Sequence, residues 1–387
     1  MDRQVLIDAS ECICRDGAVF DGSRSGNSPP WRVHMKSGSG GRSQGVHIVE
    51  LDNGHMSIDV LPTRGMGIWR VRRGQKVLGW RSPVGGPVHP AFVPLFDPSG
   101  LGWLEGFDEL LCRCGLESNG APDFDASGKL LYPLHGRIAN LPAHRVEVDI
   151  DEKAGRIALR GVIDETRFHF YSLRLTTTLT TTIGSNEFAW TDEVENVGGR
   201  DATMQMLYHF NIGRPLLQPG ATITAPIATA APWTQVAARE GIENWNVMPP
   251  PKPGSAEQGY LLDLLADDAG ETRVLVSGLV DDEAVSLRFS KRALPCFTVW
   301  RNTPADADGY VLGIEPATNF PNPHSFERRS GRVVMLKSGA KWIAELTATW
   351  HGGFQSIAAE EAAIRAIQGM RSSELVTNPP TEWSANA

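Results

Sequence analysis

Tyr171-Ser172-Leu173-Arg174-Leu175-Thr176-Thr177-Thr178-Leu179-Thr180-Thr181-Thr182-Ile183 is the stretch from which the fold class can be read. Its odd positions are Tyr, Leu, Leu, Thr, Leu, Thr, Ile, and its even positions are Ser, Arg, Thr, Thr, Thr, Thr. Side chains alternate across an extended strand, so a period of two describes one buried face and one wet face. Threonine is β-branched and suits a half-buried pleated surface. The alternation therefore accounts for a threonine run that otherwise resembles low complexity.

The same pattern recurs on both sides of this strand. Residues 146–150 (Val-Glu-Val-Asp-Ile) lead through Asp151-Glu152-Lys153-Ala154-Gly155 into 156–162, a β-hairpin with a longer loop. Further strands are predicted at 45–51, 57–61, 187–196, 203–210, 273–280, 284–289, 296–301 and 344–350. Helical periodicity is nearly absent before 356–369, an Ala-rich segment with Ile357, Ile364 and Ile367 that Gly369 is placed to cap. Antiparallel strands at this density, without interleaved helices, call for an all-β sandwich or barrel. No fixed internal repeat suggests a propeller. The expected organisation is one large antiparallel β-sandwich over 1–354, whose first 40 or so residues are leading strands and loops. A C-terminal helix and loose tail then follow over 355–387. Residues 226–259, with six prolines, read as a long excursion over the sandwich.

Composition narrows the function classes. The 387 residues are 41% apolar and 21% charged, as in soluble globular proteins, with no apolar run long enough to span a bilayer. A net charge of −8, without a basic block interleaved with aromatics, argues against a nucleic-acid partner. The N-terminus shows no secretion signal. Cys12/Cys14 and Cys112/Cys114 form Cys-x-Cys pairs and Cys296 stands alone. Zinc sites ordinarily use wider spacing, so the expectation is reduced thiols without metal in a cytoplasmic protein. Oligomeric state leaves no signature in the chain.

The candidate chemistry sits in a few segments. In Tyr310-Val311-Leu312-Gly313-Ile314-Glu315-Pro316, the proline cannot donate to a sheet ladder, so the strand is expected to stop at Glu315. A strand-end carboxylate ahead of a Pro- and Asn-rich loop is either a pocket base or half of a salt bridge. His135 lies in Tyr132-Pro133-Leu134-His135-Gly136-Arg137, where the glycine allows close approach. His209 lies in Met204-Gln205-Met206-Leu207-Tyr208-His209-Phe210-Asn211, a strand apolar on both faces, so its imidazole is either a satisfied structural group or lines a cavity. Arg64 follows a strand in Leu61-Pro62-Thr63-Arg64-Gly65-Met66-Gly67 and is either a bidentate ligand for hydroxyls or a carboxylate, or a surface cation. Trp190, Trp300 and Trp350 are either core residues, as aromatics in strands usually are, or a stacking face for a sugar ring. There is no phosphate loop, dinucleotide fingerprint or His-Glu-x-x-His. Two imidazoles and a carboxylate also make a metal-binding facial triad, though its ligands would come from distant segments.

Taken in order, His135-Gly136, Tyr208-His209-Phe210-Asn211 and Gly313-Ile314-Glu315-Pro316 resemble the three active-site segments of the aldose 1-epimerases (galactose mutarotases). Leu61–Ile68, Phe107-Asp108-Glu109-Leu110-Leu111 with Cys114-Gly115-Leu116, and Tyr208-His209-Phe210-Asn211-Ile212-Gly213 are similar to the branch of that superfamily called DUF4432. The resemblance spans about 45–350. It implies a galactose mutarotase-like supersandwich with its sugar site on a concave face, and an aldose 1-epimerase reaction without a cofactor. It further implies Glu315 as the base at the anomeric hydroxyl, His209 as the acid at the ring oxygen and His135 assisting there. Arg64, Arg137, Asn211, Asn319 and Trp300 become the expected substrate-binding residues. Glu257 and Asp263 are the candidates for the family's sugar-binding aspartate. Arg137, where better-known members carry a small residue, points away from galactose toward another aldose, with an acidic one among the candidates. A non-catalytic sugar-binding or sensing protein, or another sugar isomerase or lyase, is the alternative on the same fold.

Overall fold

Tyr171–Thr182 forms the strand that its alternation predicts: Leu173, Leu175, Thr177, Leu179 and Thr181 are buried, and the even residues are more open. The two buried threonines are satisfied. Thr177 Oγ1 accepts from Arg113 Nη2 at 2.8 Å, and Arg113 is ion-paired with buried Asp192 at 2.6 Å. Thr181 Oγ1 accepts from Asn53 Nδ2 at 2.8 Å and donates to the Glu187 carbonyl at 3.0 Å. The computed structural model describes residues 2–22 and 30–385; the other residues expected in the sandwich and tail lie outside the described set.

This strand sits in a ten-stranded sheet between Arg156–Arg167 and Glu187–Asn196. The predicted hairpin is part of the same sheet, with Ile150 opposite Ile157. A second sheet of fourteen strands carries, side by side, Gln258–Leu264, Cys296–Asn302, Val311–Ala317, Ala202–Gly213, Leu111–Leu116 and Gly67–Arg73. Pairing is antiparallel throughout this run. The sheets face each other across one continuous core. Leu159, Leu175, Trp190 and Leu346 come from the first sheet, and Ile58, Met206, Phe210 and Ile314 from the second. Each such large apolar side chain contributes about 1.5–3 kcal/mol by leaving water.

The outer face of the second sheet carries a smaller cluster of Trp103, Phe107, Cys112, Cys114, Leu207 and Ala317, with Trp80 and Trp300 partly buried against it. The Ala202–Gly213 strand links the two layers. Met204, Met206, Tyr208 and Phe210 enter the main core, while Gln205, Leu207, His209 and Asn211 project to the outer face.

Three expectations are revised. The Glu315 strand does not stop at the proline: it runs Val311–Ala317, buried throughout, with Pro316 opposite Phe297. Proline is tolerated in this central strand because the ladder to the neighbour on the other side is interrupted there. That ladder is registered at Leu207↔Ala317 and again from Phe210↔Ile314, not between. The excursion contributes the strand Ile227–Pro232 to the second sheet, then a helix, Gln235–Glu240, whose Ala237 N–H donates to Thr234 Oγ1 at 3.2 Å. The C-terminal helix spans Phe354–Gln368, and the Gly369 N–H closes it on the Arg365 carbonyl at 2.9 Å. The tail beyond is anchored in two places. Glu374–Leu375 pairs with Ile227–Pro232, and Trp383 packs on Phe320 with ring centroids 5.1 Å apart. No helix among the described residues is long and apolar enough to cross a membrane.

Candidate active site

His209 is fixed by its own strand. Residues i and i+2 share a face, so Asn211 lies beside it, and Asn211 Oδ1 meets His209 Nδ1 at 2.6 Å. The amide is oriented by its other end, since Asn211 Nδ2 donates to the carbonyls of Glu109 and His209, both at 3.0 Å. Oδ1 is therefore the acceptor, and Nδ1 carries the imidazole proton. The lone pair of the neutral ring is then on Nε2, which faces Glu315 Oε1 at 3.2 Å.

Both groups are almost wholly buried, His209 4% and Glu315 2% exposed. Burial holds His209 well below the ordinary histidine range, with a smaller contribution from His135. Burial, with the nearby negative charge of Glu257, raises Glu315 well above the ordinary carboxylate range. The two shifts together leave the pair with one titratable proton in total around neutrality. Their contact is close in distance but lacks hydrogen-bond geometry, so Glu315 Oε1 has no hydrogen-bond partner among the described residues. Thr298 Oγ1 and Gln205 Nε2, on the same sheet face, are likewise buried and unpartnered. Orphaned polar atoms at this density are what a bound polyhydroxy ligand can satisfy.

His135 reaches this face from a loop. Its φ is +56° and that of Gly136 +71°, both in the left-handed region. A side chain at Gly136 would place its Cβ 2.0 Å from the Ser118 carbonyl oxygen, so only glycine fits. The turn is held by the His135 N–H on the Gly120 carbonyl at 2.8 Å and the Gly115 N–H on the His135 carbonyl at 3.1 Å. His135 Nδ1 donates to the Asn119 carbonyl at 2.9 Å, which again leaves Nε2 as the lone pair. Burial lowers this histidine to about 4. Its ring centroid is 5.5 Å from that of His209 at an interplanar angle of 89°. An aromatic wall surrounds the two rings: Trp103 lies 4.5 Å from His135, and Phe107 and Trp300 lie 4.9 and 5.3 Å from His209.

The structure thus brings His135, His209 and Glu315 together, and sets Trp300 and Glu257 beside them. Trp300 is half-buried, and its Nε1 donates to Glu257 Oε2 at 2.7 Å. The other expected substrate ligands are placed differently. Arg64 is 1% exposed and its guanidinium is occupied: it is paired with Glu109 and donates to Val88 O, Asn140 Oδ1 and Gly106 O at 2.9–3.0 Å. It pins the segment that carries Trp103, Phe107 and the Glu109 carbonyl under Asn211, and presents no donors to a sugar. Asn211 holds His209. Asn319 is buried and exchanges two amide hydrogen bonds with Asn119, at 2.8 and 3.0 Å, and so holds the carbonyl beneath His135. Arg137 lines a separate cavity, and Asp263 is ion-paired with Lys291 at 2.6 Å. Asn119 and Trp103 went unrecognised in the sequence. Asn119 acts through its main-chain carbonyl, which has no residue-type signal, and Trp103 lies in a short 3-10 turn, Gly102–Gly106. No three His, Cys, Asp or Glu side chains among the described residues are grouped to hold a metal ion.

This architecture is the galactose mutarotase-like β-sandwich. A galactose mutarotase-like protein from Clostridium acetobutylicum superposes with a TM-score of 0.54 at 15% identity, over 83% of this chain and 99% of that one. A protein from Escherichia coli K12, provisionally described as an aldose 1-epimerase, does so with a TM-score of 0.53 at 15% identity, over 80% and 100%. These two define the fold alone. Residues 43–367 match the family described as a domain of unknown function, DUF4432, and the chain belongs to that family. A protein from Klebsiella pneumoniae subsp. pneumoniae MGH 78578, also provisionally described as an aldose 1-epimerase, is 33% identical over 98% of both chains, with a TM-score of 0.92. No protein of curated function matches the chain.

Proposed function

We propose that this protein is an aldose 1-epimerase that interconverts the α and β anomers of an aldose. The observation that carries the reading is the His209–Glu315 pair, buried 3.2 Å apart on a face walled by aromatic rings. Mutarotation needs a group that takes one proton and a group that gives one, in either direction. Glu315 takes the proton of the anomeric hydroxyl while His209 Nε2 delivers one to the ring oxygen; the C1–O5 bond breaks and the C1 carbonyl forms. Rotation about C1–C2 presents the other carbonyl face, and reclosure with the two roles exchanged gives the other anomer. His135 assists at the ring oxygen or an adjacent hydroxyl. Trp300 offers a ring face to the sugar and Glu257 an acceptor for its hydroxyls. Only protons move, so no cofactor is required. The five unpaired cysteines agree with a reducing, cytoplasmic setting.

The test is anomer-resolved proton NMR with a panel of aldoses and uronic acids. At least one sugar should equilibrate faster than in buffer, and Glu315→Gln should abolish the acceleration without lowering the melting temperature. A sugar that binds equally well to both forms, with no acceleration by either, would replace this reading with that of a sugar-binding protein. A sugar that is consumed would replace it with a lyase or another isomerase.

A further inference from the structure

His135 and Arg137 flank Gly136 but serve different spaces. His135 packs on Trp103, whereas Arg137 lines a cavity of about 510 Å3 to which His135, His209 and Glu315 contribute nothing. Glu165 frames its floor and is fully used: the carboxylate accepts from the N–H groups of Leu116 and Glu117 at 2.9 and 3.0 Å and from Tyr171 OH at 3.1 Å. Three other features are unused. Ser118 is a lining residue, 1% exposed, and its Oγ has no hydrogen-bond partner among the described residues. Arg137 is half-buried, and among those residues its guanidinium spends a single N–H, on Tyr171 OH at 3.2 Å. Phe96 and Phe168 stand at the cavity with 60% and 82% of their surface in water, although rings of that size ordinarily seek cover.

We infer that this cavity is a second ligand site, which takes a monosaccharide bearing an anionic group. The chemistry follows from the lining. The anion meets the unspent fork of Arg137, with Arg167 as a second cation at the cavity. The apolar carbons of the sugar ring cover Phe96 and Phe168. The volume falls in the range of small-molecule pockets and is ample for one sugar. Glu117, also at the cavity, is raised to about 7 by burial and by Glu165, so it is partly uncharged at neutrality and opposes an anion less than an ordinary carboxylate would. The inference does not rest on the epimerase reading.

Calorimetric titration of the full-length protein with glucuronate, glucose 6-phosphate and glucose tests it. The two charged sugars should bind more tightly than glucose, and the tighter of them identifies the anion as carboxylate or phosphate. Arg137→Leu should weaken that binding by about tenfold or more, as loss of a charge-assisted contact implies. Phe168→Ala, at a position too exposed to endanger folding, should weaken it by about threefold. Glu315→Gln should leave it in place. The inference falls if glucose binds as tightly as the charged sugars, or if neither charged sugar binds at millimolar concentration. It also falls if binding disappears in Glu315→Gln but survives Arg137→Leu and Phe168→Ala, which would locate the ligand in the catalytic pocket.

Discussion

Asn211→Ala is the most informative perturbation of the site, because Asn211 touches His209 without belonging to the proposed proton-transfer pair. The substitution removes three hydrogen bonds, from His209 Nδ1 at 2.6 Å and to the carbonyls of Glu109 and His209 at 3.0 Å. The Glu109 carbonyl keeps a donor in Trp80 Nε1 at 3.2 Å, but the buried Nδ1–H loses its acceptor. At about 0.5–1.5 kcal/mol per bond, the protein should lose about 2–4 kcal/mol of stability, measurable by urea denaturation. The catalytic cost is separate. Without Oδ1 to hold the proton on Nδ1, the neutral ring is free to carry it on Nε2, and then shows no lone pair to Glu315. A misplaced tautomer forfeits general acid–base catalysis, worth about 10²–10⁴ in rate. The anomer exchange rate, followed by NMR on the best-accepted sugar, should fall within that range while the protein remains folded. The decisive comparison is in a His209→Ala background, where Asn211→Ala should cost less than about threefold because its effect runs through the imidazole. A full additional loss in that background, or a wild-type rate in the single variant, would refute the argument that Asn211 acts by setting the tautomer.

Other outcomes follow from the same geometry. Arg64→Leu leaves Glu109 as an unpaired buried carboxylate and should cost about 3–5 kcal/mol in urea denaturation; an Arg64 that gripped sugar instead would show a raised KM and little loss of stability. Glu117 is raised from 4.5 to about 7, so the folded state holds its proton more tightly than the unfolded state does. Stability is therefore undiminished below pH 4.5 and is lost as pH rises toward 7. Glu117→Gln should gain on the wild type by up to about 3 kcal/mol at pH 8 and by nothing at pH 4, in paired denaturation curves at the two values. The charge of Glu257 helps to raise Glu315, so Glu257→Gln should let Glu315 ionise at lower pH and move the alkaline limb of the pH–rate profile downward by less than about one unit, since Glu257 is exposed. An unmoved or upward-moving limb would count against Glu315 as the group behind it.

What could be read in the chain divides by the range of the physics involved. Alternation over 171–183 predicts a strand because the buried face of a sheet is written at every second residue, and the structure buries Leu173 to Thr181 accordingly. His135, His209 and Glu315 were legible as an ordered set, yet their convergence depends on which strands become neighbours, and no local pattern encodes that. The expectation at Pro316 failed for the same reason. A missing N–H ends a strand only where a neighbour would have used it, and here the ladder to Ala202–Gly213 skips that position. The amides were misread most consistently. Asn211 and Asn319 have the residue type expected of sugar ligands, but both are 0% exposed and hydrogen-bonded at both amide ends within the protein. Each instead fixes one histidine, Asn211 through its own Oδ1 and Asn319 through the Asn119 carbonyl. Arg64 was read as a bidentate ligand or a surface cation and is instead enclosed: at Gly106 an added Cβ would sit 2.9 Å from its Nη1. That closeness argues for an enclosed arginine, since glycines that shut around a guanidinium leave no room for a ligand. A glycine closed against a guanidinium is thus as much a mark of a buried anchor as of an open site, and the acceptors within reach decide between the two.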